Sequence, residues 1–467
     1  MTDMPNTQNL RGARVTVIGL GIEGIDLVRF LAAEGARVTV SDMRTAEQLQ
    51  DALLAIAGCD ATPSLGANRV EDVIEADAVF VSQGVPSTLP ALVAARERGI
   101  PLSSMLQLFL ERCPAPVTGI TGSSGKTTTT SLTGAMLNAS GQDYVVGGNI
   151  GVGLLSLLPE ITPTTRVVAE MSHSQLERAR SSPHVACVTN VTPNHLDRYS
   201  WEGYIELKRN IVRHQTAADV AVLNYDNEIS RSFAASTPAH VLHTSRFETI
   251  PGDGAMLDGG VLVRVLSGTR EPVVPRSDVA LRGEHNVENL LLATAVASQI
   301  GCSATDCAET ARTFTGVLHR LEPVATVADV LWVNDSIATT PERTLAGLRA
   351  YTEPLVLLVG GRDKYLPNRE MAAEAVRRCR AVIAFGESGD LYADAVREAA
   401  RAASVDIPIR RVESVEDAVA AAHSLARAGD VVLFSPAGTS FDRYRNFEER
   451  GEAFRGAVRA LTQAGGG

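Results

Sequence analysis

A lysine closing a glycine- and serine-rich turn can hold phosphate, and the segment TGSSGKTTTT at Thr121–Thr130 contains one, Lys126. An apolar run precedes it and a helical stretch follows, so consecutive backbone N–H groups can wrap an anion at a helix start. Lys126 adds a cation near the β- and γ-phosphates of a nucleotide, and Thr127 offers a hydroxyl to Mg²⁺. Gly122, Ser123, Ser124, Gly125 and Thr128 make up the rest of the loop. The usual GxxxxGK[ST] spacing asks for glycine where Ile120 stands. A ligand-free turn before a Thr-rich helix is the plainer alternative, and ATP or GTP binding is the expectation.

Glu170, in AEMSHSQLE, ends an apolar run that reads as a buried strand. An acid there is costly unless a cation or hydrogen bonds meet it. His195, in NVTPNHLDRYSWEGYIELK, lies in a loop after another such run. Strand C-termini face the ligand crevice of an open α/β sheet, so a carboxylate and an imidazole there suit metal ligation around phosphates. Taken alone, His195 reads better as a hydrogen-bonded loop histidine, and Lys208 as a solvated helix residue. His173, His184, His214, His240, His243 and His423 read as structural or surface groups. Earlier in the chain, GLGIEG (Gly19–Gly24) matches GxGxxG, with Asp42 at the end of the next strand. Glycines let backbone approach a diphosphate, and the acid can accept from a ribose hydroxyl. A dinucleotide such as NAD is the first guess for this turn, and an unliganded turn the alternative. Asn286 and Asn289 in EHNVEN share a helix face, where capping and a ligand role fit equally well.

Three runs of alternating elements carry these residues. Arg14–Gly19, Ala36–Val40 and Ala78–Val81 read as strands and Ile25–Glu34 as a helix, a βαβ start ending near Cys113–Pro116. Val117–Thr121, a helix from Thr127, and strands Val167–Glu170 and Val185–Asn190 follow. Phe247–Leu281 reads as β-rich and Glu284–Ile300 as a helix. The last third places strands at Leu331–Asn334, Leu355–Gly360, Ala381–Phe385 and Val431–Phe434. HRLE (His319–Glu322), NDS (Asn334–Ser336), GGRDK (Gly360–Lys364) and Ser435–Gly451 then follow predicted strands as a second polar face. The chain's 467 residues suit about three domains. A net charge of −11 argues against a broad nucleic-acid or anionic-membrane surface. Six cysteines without a CxxC pair argue against a zinc site or disulfide framework. No signal peptide or membrane-length apolar run is visible, so a soluble cytoplasmic protein is expected.

TGSSGKTTTT, GGNIG (Gly147–Gly151), NVTPNHLDRY, HNVEN, HRLEPV, VNDSIATTPERT, GGRDK and SPAGTSFDRYRNFEERG occur in this order, and with them the chain resembles the Mur ligases. The likeness spans essentially the whole chain. Its NDSxAT and NFEERG segments are most like the glutamate-adding branch, and the DNPR motif of the diaminopimelate- or lysine-adding branches is absent. That family uses a TGxxGK[ST] loop, which accounts for Ile120. The implied fold is α/β in three consecutive domains: N-terminal Rossmann-like (1–113), central P-loop ATPase-like (114–316) and C-terminal Rossmann-like (317–467). The implied activity is ATP-dependent addition of D-glutamate to UDP-N-acetylmuramoyl-L-alanine through an acyl phosphate. That is a step of peptidoglycan synthesis, and hence of cell-wall biogenesis, cell shape and cell division. A monomer is expected, and the charge and hydropathy above leave no nucleic-acid or membrane partner.

Roles follow from the same resemblance. Lys126, His195 and Lys208 are the implied catalytic residues. Thr127 and Glu170 would bind one magnesium and His195 the other. Lys208 matches the family lysine that becomes carbamylated, a metal-binding carboxylate made from a cation. Asn286, Asn289, Arg320 and Asp335 match ATP contacts. Ile22, Glu23, Asp42, Arg44, Ser82 and Gly84 fall at uridine and diphosphate contacts, which turns GLGIEG from NAD to UDP. Asn149 lies near substrate and phosphate, and Thr339, Lys364, Ser440, Phe441 and Phe447 align with the glutamate pocket. Ile337 stands where NDSKAT has its lysine, His173 and Ser174 alter ELSSFQLE, and Asn194 stands where an acid often precedes the family histidine. A rearranged carboxylate clamp keeps an L-glutamate-adding ligase as the rival reading. An NAD-dependent oxidoreductase and a non-catalytic nucleotide-gated protein are remoter ones.

Overall fold

The computed structural model describes residues 10–149, 153–194, 196, 198–363 and 366–464. They form two compact units: one reaches to Ala280 and includes Glu284–Phe314, and the other comprises Leu281–Gly283 and the chain from Thr315. Three sheets carry them, two in the first unit and one in the second.

The first sheet holds β1 (Arg14–Ile18), β2 (Arg37–Asp42), β3 (Ala61–Leu65), β4 (Ala78–Val81) and β5 (Leu102–Ser103) in the order β3-β2-β1-β4-β5. Its ladders are parallel, and the order reverses at β1, where GLGIEG leaves the sheet. A reversal of this kind opens a crevice at the strand C-termini, the usual ligand position of such sheets.

The second sheet takes β6 (Val117–Thr121), β7 (Tyr144–Gly148), β8 (Arg166–Glu170), β9 (Val185–Val188), β10 (Val220–Asn224), β11 (His240–Ser245), β12 (Gly254–Asp258), β13 (Val261–Leu266) and β14 (Thr269–Pro275). Its order is β14-β13-β12-β11-β10-β9-β6-β8-β7, and only the β12-β13 and β13-β14 ladders among these are antiparallel. The β-rich stretch expected after Phe247 is this antiparallel extension. The phosphate loop leaves β6, which lies between β8 and β9, so both neighbours deliver their strand ends to it. The helices Lys126–Ala139 and Glu284–Gln299 pack against each other beside this sheet.

The second unit builds β15 (Glu322–Val327), β16 (Val330–Asn334), β17 (Leu355–Gly360), β18 (Cys379–Phe385), β19 (Ile409–Arg411) and β20 (Val431–Ala437) into the order β15-β16-β20-β17-β18-β19. β15 is its antiparallel edge. Both faces are covered, which is why β17 and β20 are buried along their whole length. Successive side chains separate cleanly: Leu355, Leu357 and Val359 enter one core, Val356 and Leu358 the other.

Several elements differ from the expectation. The helix predicted from Ile25 begins at Ile22, directly after Gly21. β3 contains Pro63, and β7 carries two glycines; both are edge strands, where a missing ladder donor or weak propensity is tolerated. HRLE does not follow a strand: it comes after the helix Ala304–Thr313, turns through positive φ at His319 and Leu321, and its Glu322 opens β15.

Phe454 of the last helix is fully buried and stacks on Phe434 of β20 at 4.6 Å and 5° between ring planes. Phe454→Ala should cost about 3–5 kcal/mol through the cavity left behind. The check is a lower urea midpoint for the second unit, followed by Trp332 fluorescence in a Trp201→Phe background.

Candidate functional site at the phosphate loop

The loop after β6 is shaped by two glycines in the left-handed half of φ space, Gly122 at +154° and Gly125 at +79°. A Cβ on Gly122 would lie 1.8 Å from Thr189 Oγ1, and one on Gly125 2.2 Å from Asn289 Oδ1. Side chains at either position would therefore push the loop off its walls. Ile120 is a fully buried strand residue. Asn190, the first residue of NVTPNHLDRY, clamps the loop: its carbonyl accepts from Ser123 N at 2.8 Å and its Oδ1 from Ser124 N at 3.0 Å. Thr189 Oγ1 donates to the Ser124 carbonyl at 2.6 Å.

The loop's charged and hydroxyl groups converge. Lys126 Nζ donates to the Gly122 and Ser123 carbonyls at 2.8 and 3.3 Å, which holds its charge over the turn. Thr127 Oγ1 donates to Glu170 Oε2 at 2.7 Å, and Asn149 Nδ2 donates to the other carboxylate oxygen at 2.8 Å. Asn289 Nδ2 donates to Asn286 Oδ1 at 3.1 Å, so HNVEN lies against the loop through Gly125. Thr128 is buried in the first turn of the helix.

Lys208 is not a solvated helix residue. It is 1% exposed, and Nζ donates to Thr121 Oγ1 at 3.0 Å; that hydroxyl in turn donates to the Met171 carbonyl at 2.6 Å. Burial first, and the charge of Lys126 second, push its ammonium well below the usual lysine range, with Glu170 acting in the opposite sense. A neutral amine is thereby favoured. Tyr204, four residues earlier, places its ring 5.7 Å from Nζ and its hydroxyl 3.2 Å from Ser123 Oγ. His173 packs its ring against Tyr199 and Tyr204. His195 and Lys364 lie outside the described residues.

Oxygen donors from Glu170 and Thr127 fit a hard cation such as Mg²⁺, which commonly takes one or two carboxylates plus phosphate oxygens. Among the described residues no group of three or more His, Cys, Asp or Glu is placed to hold a metal ion by itself. A site completed by nucleotide phosphate is the arrangement that this donor set fits.

At the first sheet's switch point Ser82 Oγ donates to the Gly19 carbonyl at 2.6 Å, bracing the glycine turn, and Gly84 has φ +82°. Asp42 accepts from Leu20 N at 2.7 Å and from Arg44 at N, Nε and Nη2. Burial alone would raise its carboxyl, but these bonds outweigh it and hold it below the usual range. Ile22 is 75% exposed at the mouth of the turn. Glu23 follows it in the same turn. It is buried, and both carboxylate oxygens are taken by protein: Gln83 N at 2.9 Å and Gln175 Nε2 at 2.6 Å. Its side chain links the glycine turn to the segment after β8, in the second sheet.

In the second unit, Asp335 follows β16 and accepts from Leu321 N at 3.2 Å and Ser435 Oγ at 2.8 Å. Burial pushes its carboxyl up to about 7, against those bonds and the charge of Arg320. Ser440 is buried, Phe441 is exposed, and Phe447 opens the last helix with its ring edge-on to His319. The Thr339 amide donates to the Ile337 carbonyl, which also accepts from Arg343 Nη1 at 3.1 Å. Two residues escaped the sequence reading. Arg450 is fully buried and donates to Ser336 O, Ser336 Oγ and Gly438 O, tying the NDS and SPAG turns together. Gly451 leaves room for His319, whose Nδ1 would stand 2.1 Å from a Cβ there. An arginine and a glycine within NFEERG give no local signal of either contact.

Comparison with known proteins matches this chain to three models: "Mur ligase MurD-like, N-terminal domain" at residues 13–104, "Mur ligase middle domain" at 120–297 and "Mur ligase, glutamate ligase domain" at 319–438. The chain belongs to the Mur ligase family. Among curated relatives of this Mur ligase, the UDP-N-acetylmuramoylalanine–D-glutamate ligase of Acetivibrio thermocellus is 39% identical over 97% of this chain and 98% of that protein. The ligase of the same name from Symbiobacterium thermophilum is 40% identical over 96% and 98%. UDP-N-acetylmuramate-alanine ligase of Thermotoga maritima shares the fold at a TM-score of 0.59 and 18% identity, covering 97% of this chain and all of that one. A pseudomurein peptide ligase type C of Methanothermus fervidus does so at 0.55 and 19%, covering 96% of this chain and all of its own. The three α/β sheets are the Mur ligase architecture.

Folding raises the Asp335 pKa, so the folded state holds a proton that the unfolded chain has already lost. This group's contribution is most favourable below the unfolded value near ~4 and is lost as pH rises toward 7. Asp335→Asn should therefore gain thermal stability relative to the parent at pH 8 and lose that advantage at pH 5. Melting curves at the two pH values check it.

Proposed function

We propose that this chain is the ATP-dependent ligase that joins D-glutamate to UDP-N-acetylmuramoyl-L-alanine in peptidoglycan synthesis. The observation that carries the chemistry is the convergence of Lys126, Thr127, Glu170, Asn149 and Lys208 on one glycine loop. D-glutamate rests on curated relatives, 34–40% identical, that bear the name of the D-glutamate ligase. They favour neither the L-glutamate variant nor an NAD-dependent oxidoreductase. The guanidinium of Arg343 reaches the carbonyl of Ile337, so the turn that lacks the family lysine has a cation beside it.

The reaction brings anions together. The alanyl carboxylate attacks the γ-phosphorus of ATP, its P–O bond to ADP breaks, and an acyl phosphate forms. The glutamate amine then attacks the acyl carbon and loses a proton, and inorganic phosphate departs as the amide closes. Lys126 neutralises charge on the transferring phosphoryl group, while the loop amides hold the phosphates. Mg²⁺ bound by Thr127 and Glu170 would supply further charge neutralisation. Asn149 orients Glu170, and His195 is the proposed ligand of a second ion. Asn286, Asn289, Arg320 and Asp335 are the proposed ATP contacts. Ile22, Asp42, Arg44, Ser82 and Gly84 are proposed to face the UDP moiety, and Thr339, Lys364, Ser440, Phe441 and Phe447 the incoming glutamate. The proposed domains are 1–113, 114–316 and 317–467, in a cytoplasmic monomer serving cell-wall growth and division. No helix among the described residues is long and apolar enough to cross a membrane.

Carbamylation of Lys208 fits its surroundings. A neutral amine attacks CO2, releasing one proton and leaving an anion beside the phosphate loop. Burial favours that neutral form before reaction.

Phosphate release with ATP, Mg²⁺, UDP-N-acetylmuramoyl-L-alanine and either glutamate enantiomer tests the function: turnover with D-glutamate is expected, and turnover with L-glutamate alone would reassign the product. Lys126→Ala should lose at least ~10²-fold in that rate. Lys208→Ala should be similarly impaired and regain activity with added short carboxylates. A folded variant that does not respond to them would remove the carbamate.

A further inference from the structure

The helix that the GLGIEG turn opens carries two buried acids three residues apart, and both are held by distant segments of the chain. Asp26 accepts from the backbone N–H groups of Leu155 and Ser156 at 2.9 and 3.0 Å. Glu23 receives Gln83 N on one oxygen and Gln175 Nε2 on the other. Gln83 sits between Ser82 and Gly84 at the proposed UDP crevice, and its side-chain oxygen accepts from Ser172 and Ser174, both at 3.2 Å. Gln175 has a second bond, from Ser172 N to its Oε1 at 2.8 Å, within a capping box. Ser172 follows Met171, whose carbonyl receives Thr121 Oγ1, the acceptor of Lys208. Hydrogen bonds on either side of the Met171–Ser172 peptide link thus join the glycine turn of the first sheet to the phosphate loop of the second.

We propose that Glu23 is a positioning residue whose bond to Gln175 couples occupancy of the UDP crevice to order at the phosphate loop. An ionised carboxylate at this place in the turn would repel a diphosphate if it faced the crevice. With both oxygens held by Gln83 N and Gln175 Nε2, it leaves the turn's backbone to the ligand and fixes the turn against the segment after Glu170. Two packed elements sharing a buried polar bond move together or break it, which is how such a contact transmits a preference between sites. The inference rests on the function proposed above.

The pair has a donor–acceptor polarity that makes it testable. In Glu23→Gln, Oε1 can still accept from Gln83 N, but its amide nitrogen meets that of Gln175. Flipping Gln175 relieves that contact and places a donor against Ser172 N instead. Gln175→Glu sets two carboxylates side by side. In the exchanged double variant, Glu23→Gln with Gln175→Glu, every bond can form again with the roles reversed. Titration of the full chain with UDP-N-acetylmuramoyl-L-alanine, with and without Mg²⁺ and a non-hydrolysable ATP analogue, gives the coupling between sites. We expect the parent to bind the UDP ligand at least about five-fold tighter with the analogue, the lower end of usual couplings. Each single variant should fall below about two-fold, and the exchanged pair should recover at least half of the parental coupling. A parental coupling below two-fold, full coupling in Glu23→Gln, or no recovery in a folded double variant would overturn the proposal. If the parent binds the ATP analogue but not the UDP ligand, the proposed function fails instead. Hydrogen exchange then tests the tie itself: the Gln83 and Ser172 amides should exchange faster in Gln175→Glu and return to parental protection in the double variant. Unchanged exchange in the single variant would overturn the tie.

Discussion

A lysine amine taken out of water is driven toward its neutral form and still needs partners for its polar hydrogens. Lys208 imposes that condition on the first unit. Its Nζ is met by Thr121 at the end of β6, by the ring of Tyr204 on its own helix, and by the field of Glu170 at the end of β8. Meeting it requires β6 and β8 to end at the same level, and their parallel register does this by pairing Ile120 with Glu170. The same level sets Thr127 within hydrogen-bond distance of Glu170 and lets Asn190, beyond the end of β9, close on the loop. Much of the site's geometry therefore follows from three strands ending together beside one buried lysine.

The second unit uses a different device for a similar purpose. Arg450 buries a guanidinium among neutral acceptors, two from Ser336 and one from Gly438, and burial lowers its pKa to about 10. Those acceptors belong to the turns after β16 and at the end of β20, adjacent strands in the sheet. A planar donor group of fixed shape joins the two turns more rigidly than a flexible ammonium would. Asp335 is the counterpart, an acid whose burial raises its proton affinity while Ser435 and the Leu321 amide hold it in place.

Legibility differed from residue to residue for reasons that can be named. Strands such as Ala78–Val81 and Leu355–Gly360 were readable because both faces of a parallel sheet are buried, which writes the strand as an unbroken apolar run. Ala61–Leu65 and Tyr144–Gly148 were not, since edge strands admit proline and glycine that interior strands reject. Lys208 looked solvated because helical spacing gives its face but not what packs against that face. The family resemblance puts Glu23 among the UDP contacts, but its partner Gln175 lies 152 residues away and no motif announces that bond.

By itself, the sequence determined the phosphate loop, the order of its motifs and the α/β class, because each is written in neighbouring residues: glycines where φ must be positive, a lysine after them, apolar runs before them. Only the tertiary structure decided which of the distant polar residues meet. Thr127 with Glu170, Lys208 with Thr121, Glu23 with Gln175 and Arg450 with Ser336 are pairs separated by between 43 and 152 positions. Strand order and register set those meetings, and neither is encoded within a window of chain short enough to read.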